Sequence, residues 1–256
     1  MPENTITPIK AFHDNYIWCL QNGKYALVVD PGDANPVINY MIKQQLELVA
    51  ILITHHHPDH VGGNKSLIEK FNVPVYGPST EIIPGISHKL VEGDRVFINE
   101  LGLEFTILDI PGHTLGHIAY HHDKILFCGD TLFSCGCGRL FEGTPQQMYT
   151  SLMKITQLPD DTVIYCTHEY TEANIKFALH VDPLNKELIK YKDKVKSLRK
   201  KGLPSLPVTL AEEKQTNPFL RSHKPNLAQA VSKHRGVKSN QPSDIFAALR
   251  EWKDSF

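Results

Sequence analysis

The sequence predicts an α+β fold in which sheets pack face to face with helices outside, followed by a smaller helical region. Three observations carry this. Short apolar strands and helical stretches mix through the first two thirds without the strict alternation of a βαβ protein. After Glu169 the strand signal stops and helical spacing takes over. At 256 residues, 41% of them hydrophobic, the chain can bury a sizeable core.

In chain order, YIWCLQNGKYALVVDPG reads as two strands around Asn22-Gly23, the pair that suits a type I′ hairpin turn. NPVINYMIKQQLE has helical spacing, and LVAILIT (48–54) is the near-continuous apolar run of a buried strand. GNKSLIEKF reads as a short helix and VPVYGPS as a strand. RVFI, LEFTILDI, HIAYHH and KILFCGD follow as strand after strand. PQQMYTSLMKITQL returns to helix with Pro145 at its first turn, and DTVIYCT is the last strand, before His168. Beyond Glu169 no further strand is predicted. NKELIKYKDKVKSLRKKG places Leu188, Tyr191, Val195 and Leu198 on one stripe closed by Gly202. Thr209 and Glu212 have capping-box spacing, and Ser243 or Asp244 is expected to cap a last helix carrying Ile245, Leu249 and Trp252. The expected domains are therefore 1–168 and a helical 169–256.

A net charge of −1 offers no field for nucleic acid or an anionic membrane. The start, MPENTITPIK, lacks the basic and apolar regions of a signal peptide, and no stretch approaches the ~18 apolar residues of a spanning helix. Five cysteines without framework spacing suit free thiols in a reducing compartment. Cys135-Gly-Cys137 has no second pair to complete a metal site. The lysine-rich stretch 190–201 reads as a solvated face, since acidic residues intersperse it and no aromatic platform accompanies it. The expectation is a cytoplasmic protein, without nucleic-acid or membrane partners.

The chemistry concentrates in THHHPDHVGG, residues 54–63. In extended chain His55 and His57 project to one side and His56 to the other, so the first two can share an ion. Asp59 and His60 follow Pro58 too closely to crowd onto that ion and still leave a water position; two ions resolve this. His113 (PGHTLGH), Asp130 (FCGDTLF) and His168 (YCTHEY) emerge from strand ends in the same manner. These seven, five imidazoles and two carboxylates, satisfy two zinc-like ions if one carboxylate bridges. His13, His56, His88, His121, His122, His180, His223 and His234 read as ordinary core or surface histidines, and His117 as a structural neighbour. Asp30 in VVDPG is either a partner orienting a ligand histidine or only a turn former.

T-H-x-H-x-D-H, an isolated His, a CGD segment and a late His together resemble the metallo-β-lactamase superfamily. Within it the chain is most similar to the glyoxalase II, or hydroxyacylglutathione hydrolase, family. The resemblance runs through THHHPDHVGGN, PGHTLGH, CGDTLFSCGCGRLFEGTPQQMY and THEYT to NPFLR, nearly the whole chain. It implies a four-layer αββα sandwich with a small C-terminal helical domain. It also implies a first metal on His55, His57 and His113, a second on Asp59, His60 and His168, and Asp130 bridging. A metal-bridging hydroxide held by Asp130, with Asp59 adjacent, would be the nucleophile. Zinc is the first expectation for both ions, with iron(II) or manganese(II) as alternatives, since no thiolate commits the donor set. The family activity is hydrolysis of S-D-lactoylglutathione to D-lactate and glutathione by a monomer, the second step of methylglyoxal detoxification. Arg221 and Lys224 match residues that hold the glycine carboxylate of glutathione, Arg139 a basic residue near the peptide, and Tyr170 a hydrogen-bonding tyrosine. Phe141 departs from the pattern: some members have a tyrosine there, so one hydrogen bond to substrate is missing.

A metal lowers the pKa of its water from 15.7 to about 7, a difference of ~12 kcal/mol between protonation states. Ser134, Cys135 and Cys137 are then not needed as nucleophiles. A thioester suits such a site because its thiolate leaves with little proton assistance. Other esters, lactones and β-lactams stay open on metal chemistry alone. A lactonase or β-lactamase would lack the cationic residues above, an RNA-processing nuclease would call for a basic exosite, and a non-catalytic metal protein would usually lack a ligand.

Overall fold

The computed structural model describes residues 4–256. The first three positions, with which the reading of the N-terminus began, lie outside the described residues. The chain divides into two compact units, one up to Asp109 together with Gly116–Gly129, the other Ile110–Leu115 together with Asp130–Phe256.

The first unit runs β1 (Thr5–Ala11), β2 (Asn15–Asn22), β3 (Tyr25–Val29), α1 (Ala34–Gln44), β4 (Glu47–Leu52), α2 (Pro58–Val61), α3 (Asn64–Phe71), β5 (Val75–Pro78), β6 (His88–Leu90), β7 (Arg95–Ile98), β8 (Leu103–Asp109), β9 (Ile118–His122) and β10 (Ile125–Gly129). One sheet has the order β1-β2-β3-β4-β5-β6, antiparallel through β3 and parallel after it. Ile17, Cys19, Ala26 and Val28 pack on one face with Val37 and Met41 of α1 and Leu67 of α3. The alternate residues Trp18, Leu20, Leu27 and Val29 are buried as well. A sheet covered on both faces needs apolar side chains at every position, which is why VVD and LVAILIT read as unbroken runs. Strands β10-β9-β8-β7 are antiparallel neighbours. The Tyr120 hydroxyl of β9 lies 2.8 Å from the Ile53 carbonyl and 3.1 Å from that of Tyr76, so the two sets of strands face each other.

Two details differ from expectation here. β1 and β6 were not foreseen. In the β2–β3 hairpin Asn22 pairs with Tyr25, so the turn residues are Gly23 and Lys24, one position later than predicted. Only Gly23 has positive φ (59°), which fits a II′ turn rather than I′.

The second unit contains β11 (Leu132–Phe133), β12 (Gly136–Cys137), α4 (Pro145–Ile155), β13 (Val163–Cys166), α5 (Thr171–Val181), α6 (Lys186–Lys200), β14 (Val208–Thr209), α7 (Leu210–Thr216), α8 (Pro225–Arg235) and α9 (Pro242–Asp254). Pro145 opens α4 as expected, behind a full Thr144–Gln147 capping box. Leu188, Tyr191 and Val195 of α6 are buried, and Gly202 takes φ 71° just past its end. Thr209 caps α7 by accepting from the Glu212 N–H. A strand does exist beyond Glu169: β14 is two residues long and pairs with β13, too short for any periodicity to reveal. Neither Ser243 nor Asp244 caps α9. Its N-cap is Gln241 with Pro242 at the first position, and Ser239 donates to Asp244 instead. α8 was missed because only Leu227 and Val231 of its eleven residues are buried, too few apolar positions to show a helical period. All five cysteines are free and buried, and among the described residues no helix is long and apolar enough to cross a membrane.

Candidate metal centre

In the first unit, β4 delivers the chain to Thr54 and the ligand stretch. Asp30, 2% exposed, sits at φ 52°, a conformation costly for a non-glycine residue and held here by a dense set of bonds. It accepts the Thr54 N–H at Oδ1 (2.8 Å) and the Thr54 hydroxyl at Oδ2 (2.7 Å). His60 Nδ1 is 3.1 Å from the same Oδ2. The Thr54 hydroxyl, having donated its one hydrogen, accepts from His55 Nδ1 at 3.1 Å. Through Thr54, Asp30 thus puts the Nδ1 proton on His55 and leaves its Nε2 as a lone-pair donor, while His60 Nδ1 lies within ion-pair distance of the same carboxylate. His55 Nε2 and His57 Nδ1 converge to 3.0 Å, and His60 Nε2 is 3.6 Å from Asp59 Oδ2. His55 and His60 also bring ligand atoms within 4.8 Å of each other. Asn15 Nδ2 donates to Asp59 Oδ2 at 3.0 Å. Close backbone approach makes this possible: a Cβ on Gly32 would run into the Asp59 carbonyl, and one on Gly63 into that of Pro31. His117, fully buried, stacks on His55 at 4.6 Å, a supporting place as expected.

In the second unit, His113, Asp130 and His168 come together from three distant points of the chain. Asp130 Oδ2 lies 3.5 Å from His113 Nε2 and 3.2 Å from His168 Nε2. His113 Nδ1 donates to the Arg139 carbonyl at 2.8 Å, so its Nε2 too is a lone-pair donor facing a carboxylate. The His113 segment is tied down by Ser151 Oγ donating to the Pro111 carbonyl (2.7 Å) and by main-chain bonds from Phe141 and Gly143. After His168, Glu169 accepts from Ser205 N (2.8 Å), from the Ser205 hydroxyl and from Arg199.

Imidazole lone pairs aimed at carboxylate oxygens repel unless a cation lies between them. The second unit presents that arrangement in buried surroundings, with the other nitrogen of His113 already committed as a donor, and the first unit sets His60 Nε2 against the half-exposed Asp59 carboxylate. The donor set, nitrogen and carboxylate oxygen without thiolate, fits a divalent ion such as zinc.

The five predicted substrate residues all belong to the second unit. Tyr170 stacks face to face on His168 (4.6 Å, 1°) and is partly exposed. Phe141, 63% exposed, sits edge-on to His113 at 5.2 Å. The Arg139 side chain is largely exposed, its nearest charge Asp254 at 3.8 Å. Arg221 is largely buried and bound to Asp182 (2.6 Å), which also accepts from Asn226 (2.8 Å). Lys224 is exposed and occupies the N-cap position of α8 without a side-chain capping bond; it follows Arg221 through a turn, its N–H bonded to the Arg221 carbonyl. Sequence reasoning missed the parts of Thr54, Asn15 and the Arg139 carbonyl. Thr54, next to the ligand cluster, could have been suspected; the other two leave no signal.

A family model for the metallo-β-lactamase superfamily matches residues 12–168, and one for the hydroxyacylglutathione hydrolase C-terminus matches 169–256. The chain is 53% identical to the hydroxyacylglutathione hydrolase of Nitrosomonas europaea over 251 residues, covering 98% of this chain and 96% of that one. It is 51% identical to that of Vibrio parahaemolyticus over 253 residues, covering 98% and 99%. Among solved structures, ETHE1 from Myxococcus xanthus matches with TM-score 0.66 at 23% identity over 99% of both chains. A protein crystallised in a di-iron-bound form matches with TM-score 0.60 at 26% identity over 84% of this chain and 100% of that one.

Proposed function

This chain belongs to the hydroxyacylglutathione hydrolases of the metallo-β-lactamase superfamily, and on that premise we propose how its residues carry the activity. It is a metal-dependent thioester hydrolase that converts S-(2-hydroxyacyl)glutathione, S-D-lactoylglutathione first among them, to the 2-hydroxy acid and glutathione.

His55, His57 and His113 would hold one divalent ion and Asp59, His60 and His168 a second, with Asp130 shared by both. Two zinc ions are the reading the donor set favours. The observation that carries it is Asp130 Oδ2 facing both His113 and His168 Nε2, the posture of a shared carboxylate. When bound, the ions supply an activated water and polarise the thioester carbonyl. The chain's own part is orientation. Asp30 fixes the tautomer of His55 through Thr54 and sets its charge beside His60 Nδ1; the Arg139 carbonyl fixes the tautomer of His113. No proton donor for the leaving group is required, because a thiol of pKa about 8.5 departs readily as thiolate.

Arg221 and Lys224 would hold the glycine carboxylate of glutathione, with Arg139 near the peptide and the Tyr170 hydroxyl as a hydrogen-bonding partner. Asp182 uses one edge of the Arg221 guanidinium and fixes its position; the remaining donors stay available, since the group carries five. Phe141 contributes an apolar wall where a hydroxyl would otherwise reach the substrate. The domain division at 168/169, supported by the limits of the two family matches, separates metal ligands from the helical segment that carries Tyr170, Arg221 and Lys224. Five buried free thiols suit action in the reducing cytoplasm.

The test is turnover of S-D-lactoylglutathione before and after chelation, beside a lactone and a β-lactam. Chelator-sensitive hydrolysis of the thioester alone is expected. Bound metal without thioester turnover would overturn the substrate assignment.

A further inference from the structure

Resting on Asp130, His113 and His168 as ligands, we infer that Glu213 of α7 and Asn217 at its C-cap are positioning residues for the metal centre, acting through the β11–β12 hairpin. The hairpin begins two residues after Asp130 and closes itself with only two residue pairs, Leu132–Cys137 and Phe133–Gly136. Its turn residue Cys135 has φ 55°, unfavourable for a side chain with a Cβ. Buried side chains of the helical segment satisfy this turn. The Cys135 N–H donates to Glu213 Oε2 at 2.9 Å. Asn217 Nδ2 donates to the Gly136 carbonyl at 2.8 Å, is 3.2 Å from the Phe133 carbonyl, and is 2.8 Å from the same Glu213 oxygen. Both side chains are fully buried. Arg250 of α9 adds a bond to the Cys137 carbonyl at 2.9 Å.

The hairpin in turn reaches all three ligands of its unit. Asp130 is continuous with it. Gly138 packs against the Asp130 carbonyl with no room for a Cβ, its N–H bonded to the Thr131 carbonyl. The next residue, Arg139, offers the carbonyl that orients His113. The Phe133 ring packs edge-on to His168 (5.9 Å) and Tyr170 (5.3 Å). A displaced turn therefore moves Asp130, His113 and His168 together. Burial pushes the Glu213 carboxyl up to about 8, so it is largely a neutral acid at pH 7. The titratable groups around it are Cys135 on the hairpin, Tyr191 on α6 and Glu212 on α7. Burial pushes the Cys135 and Tyr191 groups up as well. A neutral acid accepting two N–H groups at one oxygen is well imitated by glutamine.

The experiment compares Glu213→Ala, Glu213→Gln and Asn217→Ala with the parent at pH 7. It measures zinc affinity by competition with a chromophoric chelator, kcat and KM on S-D-lactoylglutathione, and the circular dichroism of the fold. Both alanine variants are expected to bind zinc about tenfold to a hundredfold more weakly, with kcat lowered and KM unchanged. Glu213→Gln should restore zinc affinity close to the parent. Folded alanine variants that bind zinc with parental affinity would overturn the inference, reducing the pair to a fold-holding role. If Glu213→Ala does not fold, Asn217→Ala and Arg250→Gln decide in the same way. The zinc readout does not depend on substrate. A wild-type protein without thioester turnover, which contradicts the functional reading, is thus distinguished from alanine variants with unchanged zinc binding, which contradict this one.

Discussion

The two units present their ligands in opposite ways. In the first, four candidate ligands come from six consecutive residues, His55 to His60, and one acid, Asp30, orients His55 through Thr54 and faces His60. In the second, three candidate ligands come from positions up to 55 residues apart, each with a different partner: the Arg139 carbonyl, the hairpin continuous with Asp130, and the clamped Glu169. The first arrangement is a backbone device, closed by glycine contacts, and the second is a set of side-chain anchors. A backbone device fails abruptly, whereas distributed anchors fail by degrees.

The largest expected effect breaks the backbone device. Gly32→Ala drives a Cβ into the Asp59 carbonyl and against the Phe12 ring, and is expected to cost more than about 3 kcal/mol with loss of bound metal. Gly202→Ala, with nothing within 4 Å but φ 71°, should cost only about 1 kcal/mol and keep the metal. Thermal unfolding and metal content of the two variants check this.

Next comes a buried ion pair of the second unit. Arg221→Ala leaves the buried Asp182 carboxylate without its guanidinium, a loss of roughly 3 kcal/mol, and KM should rise as well. Asp30→Asn follows: it offers one acceptor where the carboxylate receives two bonds from Thr54 and faces His60, and zinc affinity should fall about tenfold to a hundredfold with the fold intact.

A smaller effect separates the units by pH. Burial raises the Glu213 carboxyl from its ordinary 4.5 to about 8. The folded state therefore holds a proton that the unfolded state releases, so this group's contribution is complete below about 4.5. It is lost as pH rises towards about 8, at a slope of at most ~1.4 kcal/mol per pH unit. Glu213→Gln should remove that slope, so its stability relative to the parent improves between pH 6 and pH 7. Denaturant titrations at the two pH values read this directly. The smallest effect is at Lys224→Ala, an exposed side chain: KM should rise while stability stays within about 0.5 kcal/mol.

The same contrast explains what could be read in advance. The approach of His55 to His57 was legible in THHHPDH because the two are neighbours and period two sorts them from His56. The αβ character and the helical end were legible from periodicity. β14 was not, because two residues carry no period, and its pairing with Val163–Ile164 is a tertiary fact. Arg221 and Lys224 were legible only through the resemblance that runs to NPFLR. Only the structure shows Arg221 bound to Asp182 and Lys224 beginning the next helix. The Arg139 carbonyl was invisible for a simpler reason, since a main-chain acceptor has no residue type.

The most direct measurement is a titration of metal-free protein with zinc, following hydrolysis of S-D-lactoylglutathione per chain. With His55, His57 and His113 on one ion, Asp59, His60 and His168 on the other, and Asp130 on both, the rate should climb until two equivalents are bound and then level off. A rate that levels off at one equivalent, or that never depends on zinc, would contradict the two-ion account.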